Sequence, residues 1–312
     1  MKLMAGGGFS ARINREYPPL GSFIELDGTR LHYLCAGADD APPLVLIHGA
    51  SGNLRDWTSS VFERLAEDWR VIAVDRPGYG HSDELPRESW LIRPQTHALR
   101  HLMSELGHER YGVFGHSYGV AVALEWALLY PEEVIGIAAM SGAMVSWKGA
   151  LGWRYRLGGY SLIGRLMGEA VPLIASDSLL RKELVEVFEP ESVPETYLTD
   201  GAVALALKPR TFALNLRAMD TLHAQTALTI PQIPTISCPV EVLHGRDDAI
   251  VPYDAKSTPI AALAPGSETT ILDCVGHMPH HTRPTDVIAA TKRLRNRMNW
   301  SSIGAAPTCN SD

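Results

Sequence analysis

The chain is short of the features that define several protein classes. It has four cysteines in 312 residues, Cys35, Cys238, Cys274 and Cys309. None forms a Cys-x-x-Cys pair, and none stands at metal-ligand spacing from a histidine, so a zinc ribbon or a disulfide-stapled scaffold is not expected. Cys238 reads as opening one strand and Cys274 as closing the next parallel one, ends too far apart for a bridge. No apolar run reaches the roughly 18 residues that a membrane-spanning helix needs. The start, MKLMAGGGFSARINREYPP, has a lone lysine and no apolar stretch, so it does not read as a secretion signal. Basic residues are the minority: 28 Lys and Arg against 35 Asp and Glu leave a formal net charge of −7. Nucleic-acid binding needs a basic face, and composition offers none. These absences give the expectation of a reduced, cytoplasmic protein kept soluble by its mild negative charge.

What the chain does have is alternation. Apolar residues make up 46% of it, enough for a core without staples. Residues 1–20, Gly-rich and closed by Pro18-Pro19, read as a flexible arm. Two alternating runs, Phe23–Leu26 and Leu31–Leu34, flank the hairpin signal Asp27-Gly28. Leu44-Val45-Leu46-Ile47 is a continuous apolar run of the kind covered on both faces of a sheet. Val61, Phe62, Leu65, Ala66 and Trp69 then fall on one helical face. Strands follow at 71–74, 111–114 and 134–140, with helices at about 94–106, ending at Gly107, and 120–130. Strand–helix alternation of this kind predicts an α/β fold with a doubly wound, mostly parallel sheet. From about 143 to 233 the strand pattern stops and helices are expected near 150–170, 176–189, 194–207 and 210–224. That segment reads as a helical cap inserted into a core of residues 21–142 and 234–298. Strands resume at 240–243 and 269–272, with helices near 253–264 and 284–297. Residues 299–312 read as a flexible tail.

Chemistry concentrates where strands end. Gly115-His116-Ser117-Tyr118-Gly119 lies between a strand and a helix, the context of a nucleophile elbow. The turn is sharp enough that flanking side chains would collide with neighbouring strands, hence the glycines. Ser117 Oγ would stand at a helix N-terminus, where negative charge is favoured. A serine hydroxyl needs a base and an orienting acid, in the chain order Ser, Asp or Glu, His. Of twelve histidines, His277 follows the last strand and so shares the carboxyl edge of the sheet with Ser117. His116 adjoins the nucleophile and should point elsewhere. His280 and His281 are neighbours, but no carboxylate pattern accompanies His277-x-x-His280-His281, so no metal is expected, and no cofactor either. The acid comes from Asp247 or Asp248, after the strand ending at Leu243, and spacing does not choose between them. Two backbone N–H groups would form the oxyanion hole, one at Tyr118 and one in the loop opened by His48-Gly49.

These motifs resemble the α/β-hydrolase superfamily, in its serine esterase, lipase and haloperoxidase-like branch, over nearly all of residues 21–298. The matching segments are Leu44–Gly49, Asp75-Arg76-Pro77-Gly78-Tyr79-Gly80-His81-Ser82, Gly115–Gly119, Gly245–Pro252 and Gly276-His277. The resemblance implies Asp248 as the acid, His277 as the base and Ala50 as the oxyanion donor beside Tyr118. It also implies a bracing role for Asp75–Ser82. Val120 departs from the family pattern, which often has a second glycine there. Relatives that dehalogenate or open epoxides carry Asp at the elbow, so those activities are not expected.

The resemblance and cap composition together imply a small-molecule substrate, a carboxylic ester with a small or medium hydrophobic acyl group. Trp147, Trp153, Tyr155, Tyr160, Leu162, Leu166, Met167, Phe188 and Tyr197 are the candidate pocket residues. Arg154, Arg156 and Arg165 read as solvated. The alternatives are C–C bond, lactone or amide hydrolysis, acyl transfer or cofactor-free perhydrolysis on the same residues, and, third, a non-catalytic ligand receptor.

Overall fold

The computed structural model describes residues 4–142, 158–159, 161–253, 260, 262 and 264–300. In chain order the elements are α1 (Met4–Glu16), β1 (Ser22–Leu26), β2 (Thr29–Ala36), β3 (Pro43–Ile47), α2 (Arg55–Thr58), α3 (Phe62–Leu65), β4 (Arg70–Val74) and α4 (Ile92–Glu105). There follow β5 (Tyr111–His116), α5 (Tyr118–Leu129), β6 (Val134–Met140), α6 (Ser161–Ile174), α7 (Asp177–Phe188), α8 (Tyr197–Asp200) and α9 (Pro209–Thr229). The chain closes with β7 (Val240–Gly245), β8 (Glu268–Leu272), α10 (Pro279–Thr282) and α11 (Pro284–Arg297).

The eight strands form one sheet in the order β1-β2-β4-β3-β5-β6-β7-β8. β1, β2 and β4 pair antiparallel, and every pairing from β4 to β8 is parallel. The expected doubly wound, mostly parallel α/β sheet is therefore present. The hairpin sits where the Asp27-Gly28 signal placed it, both residues having positive φ, as a turn matched to strand twist requires. Successive residues of β3 face opposite layers: Val45 and Ile47 join a core with α4 and α5, while Leu44 and Leu46 join one with α2, α3 and α11. Both faces are covered, which is why the run is unbroken by polar residues.

β3 has β4 on one side and β5 on the other, so the chain reverses its direction of winding there. The loops leaving the carboxyl ends of β3 and β5 diverge at such a point, which opens the crevice where ligands bind in sheets of this kind.

Three features differ from the expectation. The N-terminal segment forms α1 instead of an irregular arm, because Phe9, Ile13 and Tyr17 recur every four residues and pack on Ala202 and Leu205. The run at 59–69 is the short α3 and turns, with Val61, Phe62, Leu65 and Trp69 all buried. Between β6 and β7 the described residues are helical from Ser161 on, the start of the helix expected near 150–170 lying outside them, and Pro209 opens α9 as an N-terminal proline should. Yet Ala218 and Leu222 of α9 are buried in the same apolar cluster as β3 and α5. The expected helix near 253–264 lies mostly outside the described residues, as does the tail from Ser301.

Candidate active site

Ser117 occupies the sharp turn between β5 and α5 with φ 52° and ψ −116°, a left-handed conformation that a non-glycine residue holds only under constraint. The constraints are visible. Ser117 N–H donates to Met140 O of β6 at 2.9 Å, and Val120 N–H donates back to Ser117 O at 3.0 Å. A Cβ on Gly119 would lie 2.2 Å from Ile47 O, and one on Gly115 would lie 2.4 Å from Gly119 O. The elbow can close only with glycine at both places. Val120 is fully buried behind it and packs close to Gly142.

The loop after β8 carries His277, whose Nδ1 donates to Asp248 Oδ2 at 2.8 Å. That bond leaves Nε2 as the ring's available acceptor, the tautomer a general base requires. Asp248 Oδ1 also accepts from the N–H groups of Ile250 (2.9 Å) and Val251 (2.8 Å), and His244 approaches Oδ2 at 3.3 Å. Burial alone would raise the Asp248 carboxyl. The adjacent His277, the hydrogen bonds from both histidines and the Val251 N–H outweigh it and hold the group below the ordinary carboxylate range. Asp247 is exposed and instead accepts from Cys274 N–H at 3.0 Å. The structure thus brings Asp248, not Asp247, against His277.

Ala50 lies in the loop after β3, and the peptide that carries its N–H is fixed through its other end. Gly49 O accepts from Arg76 Nη2 at 2.8 Å and from His48 Nδ1 at 2.8 Å. Because Arg76 N–H donates to His48 Nε2 at 3.0 Å, the imidazole must carry its proton on Nδ1. Burial, then the Arg76 charge, push His48 down to about 3, so it is neutral at physiological pH. In a planar trans peptide the N–H points opposite to the C=O, so Ala50 N–H is aimed away from this anchor. Among the described residues neither Ala50 N–H nor Tyr118 N–H has a backbone partner. Arg76 is fully buried, donates to Gln95 Oε1 at 3.0 Å, and stacks on the rings of Tyr79 and Tyr118 at 4.1 and 4.4 Å. The segment from Asp75 to Ser82 braces the sheet edge, with Ser82 Oγ donating to Asp75 O at 2.7 Å. In addition it sends Arg76 under both candidate oxyanion donors, a role that its motif did not reveal.

His116 turns away from the elbow. Its Nε2 donates to His277 O at 2.9 Å, while its Nδ1 faces Asp56 Oδ2 at 3.8 Å. Asp56, on α2, is the carboxylate that the His277-x-x-His280-His281 pattern lacked. It accepts from His280 Nε2 and His281 Nε2, both at 3.0 Å, and from Tyr197 OH at 2.9 Å. Burial pushes His280 down to about 4, so it serves as a neutral donor and Asp56 carries the cluster's negative charge. Burial by itself would raise Asp56, but His280 and His281 bring it well below its ordinary value. Donor atoms of Asp56, His116 and His280 lie within 4.8 Å of one another. A cation among them would have to displace the His280–Asp56 hydrogen bond. Sequence reasoning missed Asp56 because it is over 200 positions from His280 and His281 and 141 from Tyr197.

Of the candidate pocket residues, Phe188 and Tyr197 are buried and pack on each other and on His281. Leu162 and Leu166 are exposed on α6, as is Arg165, and Met167 is half-buried. Trp147, Trp153, Arg154, Tyr155, Arg156 and Tyr160 lie outside the described residues. Cys238 and Cys274 are free thiols. No helix among the described residues is long and apolar enough to cross a membrane.

Residues 42–284 match the family model of the alpha/beta hydrolase fold. An uncharacterized protein of Mycobacterium tuberculosis is 27% identical over 296 residues, covering 89% of this chain and 81% of the relative. A thermophilic esterase from Thermogutta terrifontis, solved with malate bound, superposes with a TM-score of 0.71 at 20% identity, over 89% of this chain and all of that one (100%). The 2-hydroxy-6-oxo-6-phenylhexa-2,4-dienoate hydrolase of Rhodococcus sp. strain RHA1 superposes with a TM-score of 0.70 at 21% identity, again over 89% and 100%.

Proposed function

The chain belongs to the α/β-hydrolase fold family, and on that footing we propose that it is a serine hydrolase whose substrate is a carboxylic ester with a small or medium hydrophobic acyl group. Ser117 Oγ attacks the ester carbonyl and His277 Nε2 takes its proton. Asp248 holds the imidazole and stabilises the imidazolium that forms. The N–H groups of Ala50 and Tyr118 receive the oxyanion. Collapse of the tetrahedral intermediate expels the alcohol, protonated by His277, and leaves an acyl-enzyme that water hydrolyses by the same route. The helical segment between β6 and β7 acts as a cap over the acyl group.

The observation that carries this reading is the buried His277–Asp248 hydrogen bond of 2.8 Å, formed at the same sheet edge as the strained Ser117. A serine at the elbow also disfavours chemistry that needs a carboxylate nucleophile there. The esterase and the dienoate hydrolase among the structural neighbours share this fold, so the choice of ester rests on the apolar character of the inserted segment.

A panel of p-nitrophenyl esters of graded acyl length, run on wild type and Ser117→Ala, tests the proposal. Turnover is expected for wild type only, with fluorophosphonate labelling confined to Ser117. Turnover that survives Ser117→Ala would sink the mechanism, and tight ligand binding without turnover would make the protein a receptor.

A further inference from the structure

Ser51, next to the proposed oxyanion donor Ala50, is an exposed non-glycine residue with φ 55°. Such a backbone is costly for any side chain and persists only where the surroundings over-determine it. Here a tight turn closed by Gly52 N–H on Gly49 O at 3.4 Å is supported by one side chain. Asn215 of α9 accepts from Ser51 N–H through Oδ1 at 2.9 Å and donates from Nδ2 to Ser51 Oγ at 2.9 Å. Asn215 is itself buried, and Tyr79 OH donates to the same Oδ1 at 3.3 Å. The Ala50 N–H is thus bracketed. Arg76 and His48 hold the Gly49 carbonyl on one side, and Asn215 holds Ser51 on the other.

We infer that Asn215 is a positioning residue of the oxyanion hole, a site assembled jointly by the β3 loop and a helix of the inserted segment. The inference rests on the serine-hydrolase reading above. α9 is anchored to the core along its length, by Thr211 Oγ1 to Gly78 O at 3.0 Å and by Thr229 Oγ1 to Glu125 Oε2 at 3.0 Å. Its buried Ala218 and Leu222 sit between those anchors. Asn215 is therefore presented to Ser51 by a fixed element, and displacement of α9 loosens the Ala50 peptide on its Ser51 side. The inserted segment then does more than shape an acyl pocket: its seating tunes the oxyanion hole.

Asn215→Ala tests this on the full chain with the best ester of the panel. Complete removal of an oxyanion donor costs about 10²–10³ in rate, so loss of its orientation should cost about 10–100-fold in kcat with KM within about twofold. Affinity for an alkylboronic acid, a mimic of the tetrahedral intermediate, should fall by the same factor, while affinity for the product carboxylate stays put. Ser51→Gly, which adopts the left-handed conformation freely, should restore about tenfold of the loss in the Asn215→Ala background. A merely structural contact would give no such rescue. Unchanged kcat in Asn215→Ala, or equal weakening of boronate and carboxylate with no rescue, would overturn the inference. Wild-type protein that neither turns over esters nor labels with fluorophosphonate would overturn the functional reading and this one with it.

Discussion

Acidification between about pH 7.5 and 5 should destabilise this protein through histidines that the fold keeps neutral. His48, His108, His116 and His280 are all buried, and burial pushes each of them and the half-buried His81 down, His48 to about 3 and His81, His108 and His280 to about 4. In the unfolded chain a histidine titrates near about 6.5. Between those values the unfolded state binds protons that the folded state refuses, so stability rises with pH and falls as pH is lowered through about 6.5. At pH 5 the difference is at most about 2 kcal/mol for each fully buried histidine, so the set together contributes several kcal/mol, comparable with the whole stability of many domains. Glu84 and Glu241, whose carboxyls burial raises, work the other way, but Glu84 is exposed and the buried Glu241 is paired with Arg293 and Arg297, so they offset little. Asp56 and Asp75, held below the ordinary range, contribute stability that is fully present above about 4 and is lost only as pH falls below it. The window from pH 6.5 to 5 therefore reports the histidines. Urea unfolding followed by circular dichroism at half-unit steps should show a slope of about 4 kcal/mol per pH unit or more near pH 5, the signature of at least three protons. His116→Gln should reduce that slope by about 1.4 kcal/mol per pH unit, the share of one proton. A stability that changes by less than about 1 kcal/mol between pH 7.5 and 5 would refute the reasoning.

Two further pairs of substitutions test the acid beside His277 and the Asp56 cluster. Asp248→Asn should lower kcat by about 10³–10⁴-fold, because the imidazole loses the acceptor that sets its tautomer, whereas Asp247→Asn should stay within about threefold; steady-state kinetics on the same ester decide it, and the reverse order would reassign the acid. Asp56→Ala removes the shared acceptor of His280, His281 and Tyr197 and should cost about 3 kcal/mol in urea unfolding at pH 7.5, with Tyr197→Phe costing about a third of that.

The sheet was legible because strand–helix alternation is a local signal. The runs at Leu44–Ile47 and Val134–Met140 carry no polar residue, which only a strand covered on both faces allows. The elbow was legible for a similar reason, since Gly115 and Gly119 are required by clashes with atoms a few positions or one strand away. The choice between Asp247 and Asp248 was not, because both follow β7 and only the tertiary position of His277 separates them. Arg76, Asn215 and Asp56 stayed hidden for a deeper reason. Each acts on a partner far along the chain, 27 residues for Arg76 and Gly49 and 164 for Asn215 and Ser51, and no spacing rule connects them. The helix α1 was missed because glycines at its start mask a four-residue apolar period that has meaning only against Ala202 and Leu205.

The left-handed backbone of Ser117 has a consequence for how this protein evolves. At φ 52° the position suits glycine, and a side chain there costs about 1–3 kcal/mol. A lineage selected for stability alone would drift to glycine at 117 and lose its hydroxyl. On the proposed mechanism a serine kept there would record selection on what the hydroxyl does, and the fold carries that cost as permanent tension between β5 and α5.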